Sequence, residues 1–133
     1  MQAWFCDTLD GVDALQWREA PTPEPGPGEV RIAVKAASLN FPDLLIVEGK
    51  YQFKPPLPFV PGAEYAGLVD AVGEGVAHLR PGQPVAAIAG TGGFGSHAIV
   101  KAAQVLPLPP GFALEHAAAF AFTYGTSHHA LMD

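Results

Sequence analysis

The sequence predicts a mostly β fold, a partly closed barrel with short helices that finishes in a helix at the C-terminal end. Hydrophobic residues make up 49% of the 133 residues and charged residues 15%, which is typical of a compact domain and not of a disordered chain. The 14 prolines and 15 glycines are scattered between short apolar runs, as turns are in a strand-rich fold. Only the C-terminal stretch combines alanine and leucine without β-branched runs, as a helix does.

The first half of the chain predicts extended segments around one short helix. The stretch EAPTPEPGPGE alternates proline with polar residues and predicts an extended surface loop. Val30, Ile32 and Val34 then fall on one face of the chain, which predicts a half-buried strand. The stretch NFPDLLIVEG predicts a short helix, with a proline in its first turn and a glycine as its stop.

The second half predicts further strands and the terminal helix. AEYAGLVDAVGEGVAHLRPGQPVAAIAG predicts two or three strands, with Gly73-Glu74-Gly75 and Pro81-Gly82 in the turns. FGSHAIVKAAQVLPLP predicts one more strand, which PPGF ends. ALEHAAAFAFTYGTSHHALMD predicts a helix that reaches Asp133 without a capping signal.

The charge and the single cysteine exclude several classes of protein. The formal charge is −6 with no basic cluster, so nucleic acid and anionic membranes are poor partners. No stretch is long and apolar enough for a membrane span, and the N-terminus lacks the profile of a signal peptide. Cys6 is expected to be a small buried side chain, and one cysteine fits a reducing compartment. We therefore expect a cytoplasmic protein.

The stretch GTGGFG, residues 90–95, matches the glycine pattern G-x-G-x-x-G of dinucleotide-binding loops. Such a loop needs a parallel strand before it, a full helix after it and an acidic residue about 20 positions later. Here the helix could run only from Ser96 to about Gln104, where VLPLPPG follows, and the prolines of that stretch cannot sit in a central parallel strand. Glu115 has the right spacing but falls in the terminal helix. The pattern favours a tight turn or loop, typically one that joins two antiparallel strands.

Four stretches in a fixed order carry a resemblance to a known family. They are PGPGEVRIAVKAASLNFPDLLIVEGKY, PFVPGAEYAGLVDAVGEGV, RPGQPVAAIAG and AAAFAFTYGTSHHAL. The sequence resembles the N-terminal, GroES-like catalytic domain of the medium-chain dehydrogenase/reductase superfamily, in its zinc-independent quinone oxidoreductase (zeta-crystallin-like) branch. The resemblance implies a GroES-like, partly open barrel over residues 1–122. Residues 123–133 would begin the linker helix to a Rossmann domain that this sequence lacks, and the intact enzyme would be a homo-oligomer.

The departures from the zinc-dependent members of that superfamily concern the metal ligands. Those enzymes carry a cysteine where this chain has Asn40, and Gly-His-Glu where it has Gly62-Ala63-Glu64. Their third ligand would fall at about Phe122, and the four-cysteine lobe of their structural zinc has no counterpart. The resemblance therefore implies that the chain binds neither a catalytic nor a structural zinc ion.

Without a Lewis acid, the favourable substrates are quinones or α,β-unsaturated carbonyls, which delocalise incoming negative charge themselves. Hydride would come from NADPH or NADH. The resemblance thus implies an NAD(P)H-dependent quinone or enone reductase, with the 133 residues inactive alone because the cofactor half is absent. Two alternatives are an enoyl-thioester reductase of the same superfamily and a stand-alone GroES-like structural or interaction module.

The resemblance also implies the site residues. Asn40 would be catalytic and cofactor-binding, its amide donating to a substrate carbonyl or to the nicotinamide carboxamide. The alternative role, which is compatible with the first, is to cap the short helix. Tyr51 and Thr126 would contact the cofactor. Phe41, Leu45 and Tyr51 would line the substrate pocket, which is more apolar here because some relatives carry a tyrosine at the position of Leu45.

The remaining candidate residues favour structural roles. Asp43 is expected to stabilise a helix start, and Glu64 to be a hydrogen-bonding carboxylate behind the site. His128 and His129 are adjacent on the predicted helix, so their side chains diverge by roughly 100° and cannot hold one ion. The other three histidines have no partner at a ligand-like spacing. No metal site is predicted.

Overall fold

The computed structural model describes residues 1–38, 41–51 and 55–109, with the side chain of Phe41 left out. In these ranges the chain forms one α-helix, α1 (Phe41–Val47), two short 3-10 turns and seven strands. The strands are β1 (Gln2–Phe5), β2 (Gln16–Glu19), β3 (Glu29–Ser38), β4 (Glu64–Val72), β5 (Pro84–Ile88), β6 (His97–Lys101) and β7 (Val105–Pro107). None of the helices in these ranges is long and apolar enough to cross a membrane.

All strand pairs are antiparallel, and they form two sheets. β1 pairs with β2, while the larger sheet has the order β6-β3-β4-β5-β7. This confirms the predicted mostly β fold. Val30 and Ile32 are fully buried as predicted, whereas Val34 is only partly buried. A register shift between Val34 and Ala36 interrupts the alternation there, which is the effect of a β-bulge.

The larger sheet is strongly curved. β6 and β7 lie at its opposite edges, yet only Ala102–Gln104 separate them in the chain. Five flat strands would hold their edges about 19 Å apart, whereas a connection of this length reaches about 14 Å. The edges therefore bend toward each other without pairing among the described strands, which is a partly open barrel.

Two sequence predictions about this region are wrong. Residues 89–96 do not form a tight turn between neighbouring strands, because β3 and β4 lie between β5 and β6. The segment after this loop is also not one strand: β6 pairs with β3 and β7 with β5. Turn chemistry is local, whereas strand order depends on long-range pairing that the local pattern does not encode.

The main core lies on one face of the larger sheet, with Ile32, Tyr65 and Val85 among its fully buried side chains. A second cluster packs α1 against the N-terminal segment; it contains Cys6, Ile46, Val47 and Phe59. Cys6 is fully buried, as predicted, and its thiol donates a hydrogen bond to the carbonyl of Thr8 at 3.1 Å.

Candidate active site

A largely apolar cavity of about 610 Å³ opens between the N-terminal hairpin, α1 and the loop before β6. Its described lining consists of Gln2, Trp4, Val12, Leu15, Trp17, Asp43, Leu44, Val47, Pro61, Gly93, Phe94, Gly95 and Ser96. Among these, Asp43 is the one charged side chain. A cavity of this size and character suits an apolar ligand or an apolar polypeptide segment.

Asp43 anchors α1 to the start of β4. Its side chain is only 2% exposed, and its Oδ1 accepts a hydrogen bond from the backbone N–H of Ala63 at 3.1 Å. The prediction placed Asp43 at the helix start, which is where it lies. The structure adds the contact with Ala63, so the carboxylate fixes the position of α1 relative to the strand that carries Glu64.

Glu64 is the first residue of β4 and is 8% exposed. Burial, followed by the negative charge of Asp43, raises the pKa of its carboxyl to about 7. Its Oε2 atom has no hydrogen-bond partner among the described residues, so the hydrogen-bonding role predicted for Glu64 is not seen for this oxygen. At neutral pH a large fraction of Glu64 therefore holds a proton.

The next residue, Tyr65, is fully buried, and its hydroxyl also lacks a hydrogen-bond partner among the described residues. Burial raises the pKa of this phenol, which stays neutral. A Cβ at Gly93 would lie 2.9 Å from the Tyr65 ring, and one at Gly92 would lie 3.3 Å from the hydroxyl. These glycines thus let the loop pack directly on the ring.

Most backbone N–H groups of the glycine loop donate hydrogen bonds within the protein. Backbone carbonyls of residues 60–63 accept hydrogen bonds from the N–H groups of Ala89, Gly90, Gly92, Gly93 and Phe94. A dinucleotide loop needs such groups free to face a pyrophosphate. Gly62 makes the close approach possible, because its φ is +106° and a Cβ there would lie 2.9 Å from atoms of Gly93 and Phe94. The arrangement supports the interpretation that GTGGFG is a packing loop.

The predicted site residues are only partly placed. Asn40 and Thr126 lie outside the described residues, and so does the side chain of Phe41. Leu45 is partly buried on α1, and Tyr51 follows the helix with a 38% exposed side chain. Neither Leu45 nor Tyr51 lines the 610 Å³ cavity, so their roles remain predictions.

The sequence prediction missed the two tryptophans. Trp4 and Trp17 face each other across β1 and β2, with ring centroids 5.4 Å apart, and both line the cavity. The available signal was that the only tryptophans of the chain lie in two short segments flanking the turn-rich stretch CDTLDGVDAL.

Of the five histidines, the described ranges contain His78 and His97. The Oγ of Ser96 lies 3.0 Å from Nδ1 of His97, whose Nε2 lies 3.7 Å from an oxygen of Asp70. The same oxygen accepts a hydrogen bond from Nε of Arg31 at 2.7 Å. Among the described residues no group of three or more His, Cys, Asp or Glu side chains could hold a metal ion. This network therefore ties neighbouring strands together.

Comparisons with known proteins cover most of the chain. The sequence model of the alcohol dehydrogenase GroES-like domain matches residues 26–110. The chain is 42% identical over 119 residues to the synaptic vesicle membrane protein VAT-1 homolog of Rattus norvegicus, covering 90% of this chain and 30% of that protein. It is 40% identical over 126 residues to the polyketide synthase GfsB of Streptomyces halstedii, covering 95% of this chain and 2% of that protein.

Among solved structures, the fold is similar to the quinone oxidoreductase from Thermus thermophilus, which was solved alone and in complex with NADPH. The TM-score is 0.83 and the identity 36%, over 99% of this chain and 40% of that chain. The chain thus spans less than half the length of each of these proteins.

Proposed function

The chain belongs to the alcohol dehydrogenase GroES-like domain family, and on that premise we propose that it forms the substrate-side domain of an NAD(P)H-dependent quinone or enone reductase. Its relatives are quinone oxidoreductases and other members of the medium-chain dehydrogenase/reductase superfamily. The observation that carries the proposal is the similarity to a quinone oxidoreductase over 99% of this chain. A cytoplasmic location and a homo-oligomeric intact enzyme belong to the same proposal.

The proposal places the dinucleotide cradle outside the described residues. Four N–H groups of the glycine loop, those of Gly90, Gly92, Gly93 and Phe94, are engaged with residues 60–63, which argues against pyrophosphate binding by this loop. A nicotinamide cofactor supplies hydride to a conjugated acceptor when it is bound. The part assigned to this chain is to bind and orient the acceptor and to exclude water from it.

The described residues also do not fit a catalytic zinc. Ala63, at a ligand position of the zinc-dependent relatives, has no side-chain donor, and its backbone N–H is engaged with Asp43. The single cysteine, Cys6, is buried in the cluster beneath α1 and its thiol contacts Thr8. A reductase without a metal favours acceptors that spread the incoming charge over their own conjugated system.

The roles proposed for individual residues in substrate and cofactor binding rest on the family resemblance. The Asn40 amide donates to the carbonyl oxygen of the acceptor, and Tyr51 and Thr126 contact the cofactor. Phe41 and Leu45 supply an apolar wall for the acceptor. Asp43, through its bond to Ala63, holds α1 in place and thereby sets the position of Leu45 on that helix.

A chimera tests this proposal. In it, the 133 residues replace the matched 40% of the Thermus thermophilus enzyme, and NADPH oxidation is followed with quinones, alkenals and enoyl thioesters. We expect quinone or alkenal turnover. Asn40→Ala should lower it about a hundredfold, by analogy with the loss of one transition-state donor. The matched amide change Gln104→Ala, at an exposed position, should leave it unchanged.

The chimera's other outcomes contradict the proposal. A folded, NADPH-binding chimera that reduces none of these acceptors would refute it. The unmodified 133-residue chain gives a second test: micromolar NADPH binding with quinone turnover would show that the cofactor site lies within it.

An enoyl-thioester reductase is the second candidate, favoured by the 40% identity with a polyketide synthase. Turnover of enoyl thioesters, with quinones and alkenals inert, would select it. The acceptor panel therefore separates the two candidates in one experiment.

A further inference from the structure

A serine, a histidine and an aspartate, none of them assigned to the reductase, form a series of contacts that reaches the 610 Å³ cavity. Ser96 lies in the wall of this cavity, and its Oγ is 3.0 Å from Nδ1 of His97. Nε2, on the other side of the imidazole ring, faces an oxygen of Asp70 at 3.7 Å. A hydroxyl, an imidazole and a carboxylate in this order are the groups that activate a serine nucleophile.

Hydrogen bonds hold Ser96 in a fixed position. Its backbone N–H donates to the carbonyl of Gln2 at 2.8 Å, and its carbonyl accepts a hydrogen bond from the N–H of Val34 at 2.9 Å. The hydroxyl oxygen accepts a further hydrogen bond, from the N–H of Gln2 at 3.1 Å. That bond occupies one lone pair of Oγ and leaves the hydroxyl hydrogen available for Nδ1 of His97. A reactive side chain needs such support to stay beside its base.

The surroundings of His97 favour the tautomer that a base requires. The carboxylate of Asp70 faces Nε2 and attracts a hydrogen on that nitrogen, so Nδ1 is left to accept the hydrogen of the serine. Arg31 keeps Asp70 in place, because its Nε donates to the same carboxylate oxygen at 2.7 Å. The separation of 3.7 Å between His97 and Asp70 is longer than a hydrogen bond, so this contact orients the ring electrostatically.

We propose that Ser96 is a nucleophile that accepts the acyl group of esters of short apolar acids, with His97 as its base and Asp70 as a positioning residue. The hydroxyl passes its proton to Nδ1 of His97 while Oγ bonds to the carbonyl carbon of the ester. The bond from that carbon to the alcohol oxygen breaks, and the alcohol leaves with the proton. Water, deprotonated by the same base, then attacks the acyl carbon, and Oγ recovers the proton as the acid leaves.

The cavity determines the class of ester. Its described lining is largely apolar, and the one charged side chain in that lining, Asp43, is buried and bonded to Ala63, which suits an uncharged apolar acyl chain. Gly95 precedes Ser96 in the same wall, and its backbone N–H donates to no described residue. This N–H is available to stabilise the negative charge that forms on the ester oxygen during the attack. The inference does not depend on the proposed reductase, because it uses no cofactor.

A probe for activated serines tests the proposal on the full 133-residue chain. A fluorophosphonate is added to the chain, and the covalent adduct is located by mass spectrometry of the digested protein. We expect one adduct, on Ser96. Hydrolysis of p-nitrophenyl butyrate, followed through the release of nitrophenolate, measures turnover, and Ser96→Ala should lower it about tenfold or more. A wild-type chain that forms no adduct, or forms it at another residue, would refute the inference.

Matched histidine variants test the base. His97→Gln should lower turnover of the ester about tenfold or more, because no group then accepts the serine proton. His78→Gln makes the same change at an exposed histidine and should leave turnover unchanged. Equal losses in the two variants, each checked for folding by circular dichroism, would overturn the proposal, since they would show that surface imidazoles hydrolyse the ester.

Asp70→Asn tests the positioning role. This variant keeps the shape of the side chain and removes the charge that faces Nε2 of His97. It should lower kcat for p-nitrophenyl butyrate and leave KM unchanged, because the ester itself does not contact Asp70. An unchanged kcat, or a loss confined to KM, would contradict the role assigned to this carboxylate.

Discussion

Replacing Glu64 by glutamine removes a buried carboxyl whose ionisation opposes folding. Its pKa is about 7 in the folded chain and 4.5 in the reference state, with burial as the larger cause and Asp43 as the second. Between these two values the unfolded chain releases a proton that the folded chain retains. Rising pH therefore favours the unfolded state across this window, and stability is lost as pH increases from about 4.5 to about 7.

The magnitude follows from the difference in pKa. A difference of about 2.5 units corresponds to about 3 kcal/mol at most above pH 7, and to nothing below pH 4.5, where both states hold the proton. Glutamine has nearly the same shape as protonated glutamate, and its side chain does not ionise. We therefore expect Glu64→Gln to gain stability relative to the wild type as pH rises, by up to about 3 kcal/mol between about pH 4 and about pH 8.

Urea unfolding of the full chain, followed by tryptophan fluorescence, measures this at a series of pH values. Glu74→Gln, at an exposed position in a turn, is the matched control for the exchange of glutamate for glutamine, and the stability change of Glu64→Gln is compared with it at each pH. If the glutamine side chain packs less well than the protonated glutamate, the free energy of unfolding of Glu64→Gln is lowered by the same amount at every pH, which does not affect its pH dependence. A difference between Glu64→Gln and wild type that stays flat across the series, or that falls as pH rises, would refute the reasoning.

Three further substitutions test neighbouring features of the site. Asp43→Asn should lower the pKa of Glu64, because it removes the negative charge that is the second cause of the raised value. The infrared carbonyl stretch of the protonated Glu64 carboxyl, followed against pH, measures this pKa, and an unchanged pKa in the variant would contradict the prediction. Gly62→Ala should lower the free energy of unfolding by about 2 kcal/mol more than Gly75→Ala, since both glycines have positive φ but only the Cβ at Gly62 would clash. Equal losses in urea unfolding would contradict that contact. Tyr65→Phe should leave the free energy of unfolding unchanged or raise it by about 1 kcal/mol, because it removes a buried hydroxyl without a described partner; a clear loss would reveal a hydrogen bond.

The local elements of the fold, such as the strand around Val30 and the short helix, could be predicted from the sequence. Val30 and Ile32 alternate as a half-buried strand does, and Pro42 lies in the first turn of the predicted helix. These features depend on neighbouring residues alone. The order of the strands, the separation of β6 from β7 and the pairing of Trp4 with Trp17 depend on contacts between distant segments, which no local pattern encodes.

The candidate site divides in the same way. The resemblance supplied Asn40, Tyr51 and Thr126 as predictions, because a motif position identifies a residue type without its surroundings. Electrostatic behaviour depends on those surroundings: Glu64 was predicted as a hydrogen-bonding carboxylate, and its raised pKa follows from burial and from Asp43, which lies 21 positions earlier. Such a shift becomes visible only once both carboxyls are placed in the fold.

The pair of buried acids determines the charge of the proposed site. Asp43 is fixed by the Ala63 N–H, whereas Oε2 of Glu64 meets no donor among the described residues, and no basic side chain of those residues contributes to its pKa. Two buried acids that have no cation beside them among the described residues lower their combined charge when one of them retains its proton for part of the time. About half of Glu64 is therefore neutral at pH 7, so these two buried carboxyls carry less negative charge than they would in water.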